Sequence, residues 1–148
     1  MKPIKTRVLL ADDDEDDRLF FADALNSLKT DTEIVSINDG EKLMHYLEDE
    51  SNELPHILFL DLNMPCKNGF ECLDSIRLSE RLKHMTVAIY STSAEDSDIE
   101  TAFVKGANVY IRKPNDFEGL KKALSDVLSV NWQFQTGGLN RETFLFSI

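Results

Sequence analysis

The sequence predicts a doubly wound α/β fold, a parallel sheet held between two layers of helices. Three observations carry this expectation. Short apolar runs without polar alternation recur five times, and strands of that composition are buried on both faces. Each run is followed by a segment with apolar residues at helical spacing. Strand and helix then alternate through residues 8–128, as in a parallel sheet built from crossover units.

The elements follow in order. Residues 8–11 (Val-Leu-Leu-Ala) read as a buried strand, and residues 18–28 as a helix with Leu19, Ala22, Leu25 and Leu28 on one stripe. Residues 34–37 form the second strand. Asn38-Asp39-Gly40 is a turn, followed by a helix over 41–50 with Leu43, Met44 and Leu47 inward. Residues 57–60 (Ile-Leu-Phe-Leu) are the third and most apolar strand. Gly69 ends a loop, and residues 70–80 are helical, with Leu73, Ile76 and Arg77 along one side. The fourth strand spans 87–90 and the next helix 96–105, stopped by Gly106, since glycine favours the left-handed conformation that ends helices. The fifth strand covers 109–111 and the last helix 116–128.

Size and composition narrow the function classes. A chain of 148 residues fits one domain with its own core. Its net charge of -11 repels nucleic acid and anionic lipid, so neither is expected as a direct partner. Cys66 and Cys72 are too few for a disulfide framework or a four-cysteine zinc site and read as reduced thiols. The apolar stretch after the basic start is too short for a signal peptide, and no run is long enough to span a membrane, so the expected compartment is the cytoplasm.

Ligands of open α/β sheets bind beyond the carboxyl ends of the strands. Asp12-Asp13-Asp14 follow the first strand, and Asp61-Leu62-Asn63-Met64-Pro65 the third. Ser91-Thr92-Ser93 follow the fourth, and Arg112-Lys113-Pro114 the fifth. Brought together, they make a pocket of carboxylates, hydroxyls and one ammonium. Carboxylates a few ångströms apart repel by about 4 kcal/mol per pair at an effective dielectric near 20. A divalent cation relieves that repulsion, and an oxygen-only donor set without His or Cys favours Mg²⁺. Lys113 and a hydroxyl then suit the remaining oxygens of a phosphoryl group. Asp61, at the end of the central apolar strand, is the natural nucleophile, because carboxylates form acyl phosphates. Taken singly, each residue has a plainer reading: a solvated helix start for the acidic run 12–17, a cap for Asp61, loop hydroxyls for Ser91 and Thr92, a surface charge for Lys113. Their joint placement after four strands distinguishes them.

These residues resemble the receiver-domain family of two-component response regulators over about residues 5–128. The matches are Leu9-Leu10-Ala11-Asp12-Asp13-Asp14, then Leu60-Asp61-Leu62-Asn63-Met64-Pro65 with Gly69, then Ser91, then Lys113-Pro114. The resemblance implies a flavodoxin-like sheet of strand order 2-1-3-4-5. It implies phosphorylation of Asp61 and Mg²⁺ held by Asp13 directly, by Asp12 mainly through water, by Asp61 and by the Asn63 backbone carbonyl. Ser91 and Lys113 would hold phosphoryl oxygens. Tyr110, three residues before the lysine, would turn inward when Ser91 moves. Pro114 would follow a cis peptide bond. Ser91 stands where threonine is commoner, and Thr92 is bulkier than the usual alanine or glycine, which suggests narrowed access for a hydrolytic water.

By this resemblance the chain is a single-domain, phospho-accepting switch rather than an enzyme. A sensor histidine kinase or a phosphotransfer protein would load it, and a downstream protein would read it. The alternative is a Mg²⁺-dependent aspartyl-phosphate phosphohydrolase. Such enzymes usually carry a second acid two residues after the nucleophile, where this chain has Asn63. A flavodoxin-type cofactor carrier is disfavoured by Asp12–Asp14, which would repel a cofactor phosphate, and a degenerate scaffold by the complete acidic set. The expected boundaries are 1–128 for the receiver and 129–148 for an apolar extension with no output domain. In that extension Trp132 and Phe134 alternate, as do Phe144, Phe146 and Ile148. This reads as a hairpin or two extended arms, folded on its own domain, on a twin chain or on another protein. A homodimer would form through this tail or through the face of the fourth helix and fifth strand.

Overall fold

A computed structural model describes residues 5–130 and 145–146 of the chain. The strands are β1 (Thr6–Ala11), β2 (Thr32–Ile37), β3 (Ile57–Leu60), β4 (Val87–Ser91) and β5 (Val109–Arg112), with a two-residue β6 (Leu145–Phe146). The helices are α1 (Glu15–Asn26), α2 (Gly40–Glu48), α3 (Gly69–Leu78), α4 (Asp96–Val104) and α5 (Phe117–Leu128). All pairings are parallel and the sheet order is β2-β1-β3-β4-β5-β6. The five expected strands thus stand in the expected order 2-1-3-4-5, and β6 adds a short rung beyond β5, Tyr110 opposite Leu145 and Ile111 opposite Phe146. The rest of the expected hairpin or pair of arms, residues 131–144 and 147–148, falls outside those described.

Side chains of the central strands alternate between two cores, as a pleated strand requires. Val8, Leu10, Ile57, Phe59, Ala88, Tyr90, Val109 and Ile111 face α1 and α5, among Phe21, Leu25, Leu120 and Leu124. Leu9, Ala11, Leu58, Leu60, Val87, Ile89 and Tyr110 face the other way, among Leu43, Leu47, Leu73, Ile76 and Ala102. β1, β3 and β4 are therefore apolar on both faces through their central residues. β2 differs: it is an edge strand, none of its residues is fully buried, and Val35 is exposed.

Two sequence expectations need correction. α1 begins at Glu15 rather than Arg18, because Asp14 caps it by accepting the Asp17 N–H at 3.2 Å. Its inward stripe is Phe21, Ala24 and Leu25, while Leu19 is 58% exposed. With Leu19-Phe20-Phe21 consecutive, periodicity alone leaves the phase open. Packing selects Phe21, whose ring meets Phe59 at 4.9 Å and Tyr90 at 5.4 Å.

Arg77, expected merely to line a helix face, is a clamp at the end of the sheet away from the strand carboxyl termini. Its guanidinium donates to the carbonyls of Gly106 (2.9 Å), Lys83 (3.0 Å) and Met85 (2.7 Å) and to Asn108 Oδ1 (3.0 Å). Asn108 Oδ1 also accepts the Val87 N–H. One side chain thus fixes the entries to β4 and β5. Gly106 closes α4 at φ +94°, where a side chain would be strained and its Cβ would come within 3.3 Å of Arg77 Nε.

Candidate functional site

The carboxyl ends of β1, β3, β4 and β5 lie side by side, and the side chains after them converge. β1 and β3 are neighbours with Ala11 opposite Leu60, so Asp12 and Asp61 emerge together. The Asp61 N–H donates to the Ala11 carbonyl at 2.9 Å, and the Asp12 N–H to Ile37 at 3.0 Å. Gly69 permits the tight return of the loop after Asp61: a Cβ there would lie 2.3 Å from the Asp61 carbonyl oxygen. One oxygen from each of Asp12, Asp13 and Asp61 lies within 4.8 Å of the others. Asp12 and Asp61 are buried and Asp13 is exposed, so the group opens to solvent on one side.

Lys113 reaches this group from the end of β5. Its Nζ lies 2.9 Å from Asp12 Oδ2, 2.7 Å from Asp17 Oδ2 and 3.6 Å from Asp61 Oδ2. The ammonium also stands 5.2 Å from the centre of the Tyr90 ring. Burial works to depress its pKa, but the hydrogen bonds to Asp17 and Asp12 and the charge of Asp61 outweigh it and hold the pKa above the ordinary lysine value. At Asp61 burial wins instead. Burial pushes its carboxyl up to about 6; Lys113 and the Asn63 N–H work to lower it, and Asp12 adds to the rise.

The donor set fits a hard divalent cation. It offers carboxylates with no sulfur or imidazole, and its acids outnumber the cations beside them, Lys113 and the Arg18 guanidinium, which donates to the Asp12 carbonyl at 2.8 Å. Asn63, whose carbonyl was expected to join the ligands, is exposed in the loop after Asp61, and its N–H donates to Asp61 Oδ1 at 3.4 Å.

Ser91 ends β4, fully buried, and its Oγ accepts the Ser93 N–H at 3.1 Å. Thr92 is exposed. Tyr110 is already inward, with no exposed surface, and its hydroxyl donates to the Ser93 carbonyl at 2.9 Å. Burial raises its pKa against the lowering effect of hydrogen bonds with Ser91 and Ser93. The loop is further tied by Ser93 Oγ, which donates to Asp98 at 2.7 Å. The Lys113–Pro114 bond is trans, contrary to the expected cis bond, and no cis peptide occurs among the described residues. The Lys113 N–H donates to Ser91 O at 2.8 Å, which carries the β4–β5 pairing up to the proline. The trans form is the one an X–Pro bond ordinarily favours, by about 0.5–1 kcal/mol.

Sequence reasoning missed Asp17 and Arg18. Both sit in an acidic helix start that dipole compensation and capping already explain. The usable signal was that the acidic run, Asp12 to Asp17, is longer than a cap requires.

The chain belongs to the response regulator receiver domain family, whose family model matches residues 8–125. Among curated proteins it is similar to the probable methanogenesis regulatory protein FilR2 of Methanothrix harundinacea, 32% identical over 123 residues, covering 81% of this chain and 79% of that one. Among solved structures it is similar to the phosphorylated cyanobacterial phytochrome response regulator RcpA, with a TM-score of 0.78 and 28% identity, covering 90% of this chain and 97% of that one. It is also similar to the Mn²⁺-bound form of response regulator Rcp1, with a TM-score of 0.75 and 27% identity over 91% of this chain and 97% of that one; Rcp1 is a Synechocystis protein.

Proposed function

We propose that this receiver domain accepts a phosphoryl group on Asp61 in a Mg²⁺-dependent reaction and changes its surface for a protein partner in response. The observation that carries the reading is the group formed by Asp12, Asp13 and Asp61 with the Lys113 ammonium 3.6 Å from Asp61. Asp12, Asp13, Asp61 and the Asn63 carbonyl would hold the ion. When bound, Mg²⁺ supplies neutralisation of the phosphoryl oxygens and of the acids around them. An Asp61 carboxylate oxygen attacks phosphorus, an O–P bond forms, and the N–P bond of a donor phosphohistidine breaks. The electron pair of that bond stays on the imidazole nitrogen, which takes up a proton. Lys113 and the Ser91 hydroxyl bind the transferred oxygens and offset charge that spreads over them in flight.

Switching follows from the same neighbourhood. A phosphoryl oxygen accepts the Ser91 O–H and draws the hydroxyl towards Asp61, which lengthens the bond its oxygen accepts from the Ser93 N–H, while the Ser93 carbonyl holds the Tyr110 hydroxyl. Phosphorylation thereby biases two arrangements of the β4–α4 loop and the face of α4 and β5. A histidine kinase or phosphotransfer protein supplies the group in the cytoplasm. Among the described residues no helix is long and apolar enough to cross a membrane. Thr92, exposed beside Ser91, restricts the hydrolytic water. Residues 1–128 act as the receiver, and the 129–148 extension is a docking element for its own domain, a second copy or a partner.

The test is incubation with Mg²⁺ and acetyl phosphate, followed by intact mass measurement. The wild-type chain should gain one phosphoryl group, stable in acid and lost in base, and Asp61→Asn should gain none. A folded, Mg²⁺-loaded wild type that stays unmodified overturns the reading.

A further inference from the structure

We infer that Asp17 is a positioning residue that holds Lys113 on α1, and that occupancy of Asp61 by a phosphoryl-like group must draw the lysine away from it. The inference rests on the proposed phospho-acceptor reading and assigns a role to a residue which that reading does not use.

Asp17 occupies the third position of α1, after the Asp14 cap. An acid there commonly turns back to the cap's own backbone N–H, closing a capping box. α3 does this: Asn68 Oδ1 accepts the Glu71 N–H at 2.9 Å, and Glu71 Oε1 accepts the Asn68 N–H at 3.0 Å. In α1 half of that box is replaced. Asp14 Oδ1 accepts the Asp17 N–H, but the Asp14 N–H donates at 3.0 Å to Asp12 Oδ1. The Asp17 carboxylate is released from capping and instead takes Lys113 Nζ at 2.7 Å, across 96 residues of sequence.

An ammonium has three hydrogens to donate. Two are engaged, with Asp17 at 2.7 Å and Asp12 at 2.9 Å, and these contacts hold the ammonium 3.6 Å from Asp61, outside hydrogen-bond reach, so movement towards a group on Asp61 lengthens one of them. Asp12 is fully buried, so its contact with Lys113 is difficult to give up; the Asp17 side chain is 36% exposed and rehydrates readily. Of the two contacts, Asp17 is the one that yields. The carboxylate thus competes with an incoming anion for Lys113, and removing it should tighten binding of that anion.

The measurement is a titration with beryllofluoride in the presence of Mg²⁺, followed by fluorine NMR, on the wild type and three variants. Asp17→Asn should reach half-saturation at a concentration lower by between about threefold and tenfold, the scale of one partly exposed ion pair. Asp16→Asn makes the same charge change on the same exposed helix start without a Lys113 contact and should stay within about twofold of wild type. Asp17→Glu keeps the carboxylate and should restore wild-type affinity. Thermal unfolding of each variant checks that α1 is intact; if Asp17→Asn does not fold, Asp17→Ser, which puts a short uncharged polar side chain at the helix start, takes its place. Equal shifts for Asp17→Asn and Asp16→Asn, or no shift in either, overturn the inference while leaving the acceptor reading standing. A wild type that binds no beryllofluoride overturns that reading, and the inference with it.

Discussion

Replacing Asp61 by asparagine should stabilise the metal-free protein at neutral pH, although it removes the residue proposed to carry the chemistry. The carboxyl is 7% exposed and sits beside Asp12, and burial pushes it from 3.8 to about 6. Between those values the folded chain keeps a proton that the unfolded chain has already released. Stability therefore falls as pH rises through this window and levels off above about 6. The difference between 3.8 and about 6 corresponds to roughly 3 kcal/mol. Asparagine is isosteric, keeps an oxygen for the Asn63 N–H and carries no charge. We expect Asp61→Asn to gain about 2 kcal/mol at pH 7.5 in chelator, and most of the gain to vanish near pH 4. Urea unfolding at the two pH values measures it, with the denaturant slope showing that the transition stays two-state. Added Mg²⁺ should stabilise the wild type and narrow the gap, since a ligand that binds only the folded state adds to its stability. An Asp61→Asn protein no more stable than wild type at pH 7.5 without metal would refute the electrostatic account.

Three further outcomes follow from named contacts. Arg77→Met keeps the stem but strips the guanidinium from Gly106, Lys83, Met85 and Asn108; it should cost about 3 kcal/mol in urea unfolding, from acceptors left without their donor. Gly69→Ala places a Cβ 2.3 Å from the Asp61 carbonyl oxygen and 2.8 Å from Leu62 Cα; the forced shift of that loop should cost at least about 2 kcal/mol, read by thermal unfolding, and should slow phosphoryl uptake from acetyl phosphate. Tyr110→Phe removes the bond to the Ser93 carbonyl; it should cost about 1 kcal/mol and raise hydrogen exchange in the β4–α4 loop.

The sequence exposed the parts of the fold that depend on a single local rule. Ile57-Leu58-Phe59-Leu60 could only be a strand covered on both faces, and β3 has those bounds. Gly106 marked a helix end because a positive φ there demands it. Where two rules gave the same residues different places, packing decided. Leu19-Phe20-Phe21 offered more than one helix phase, and only the neighbouring Phe59 and Tyr90 rings select Phe21. The grouping of Asp12, Asp13, Asp61 and Lys113 was legible because each follows a strand of a parallel sheet, which fixes one end for all of them. Asp17 was not, because a helix start already accounts for an acid and its partner lies 96 residues away. The β6 rung was equally hidden, because it depends on what β5 pairs with; the bond before Pro114 keeps the ordinary trans form, where the resemblance implied cis.

Site mapping of the phosphoryl group tests the central claim most directly. After reaction with acetyl phosphate and Mg²⁺, borohydride reduces an aspartyl phosphate to homoserine, and peptide mass spectrometry locates the change. The account predicts homoserine at position 61 alone, abolished by leaving out the phosphodonor. Homoserine at another acid, or none in a protein that has gained a phosphoryl group, would contradict it.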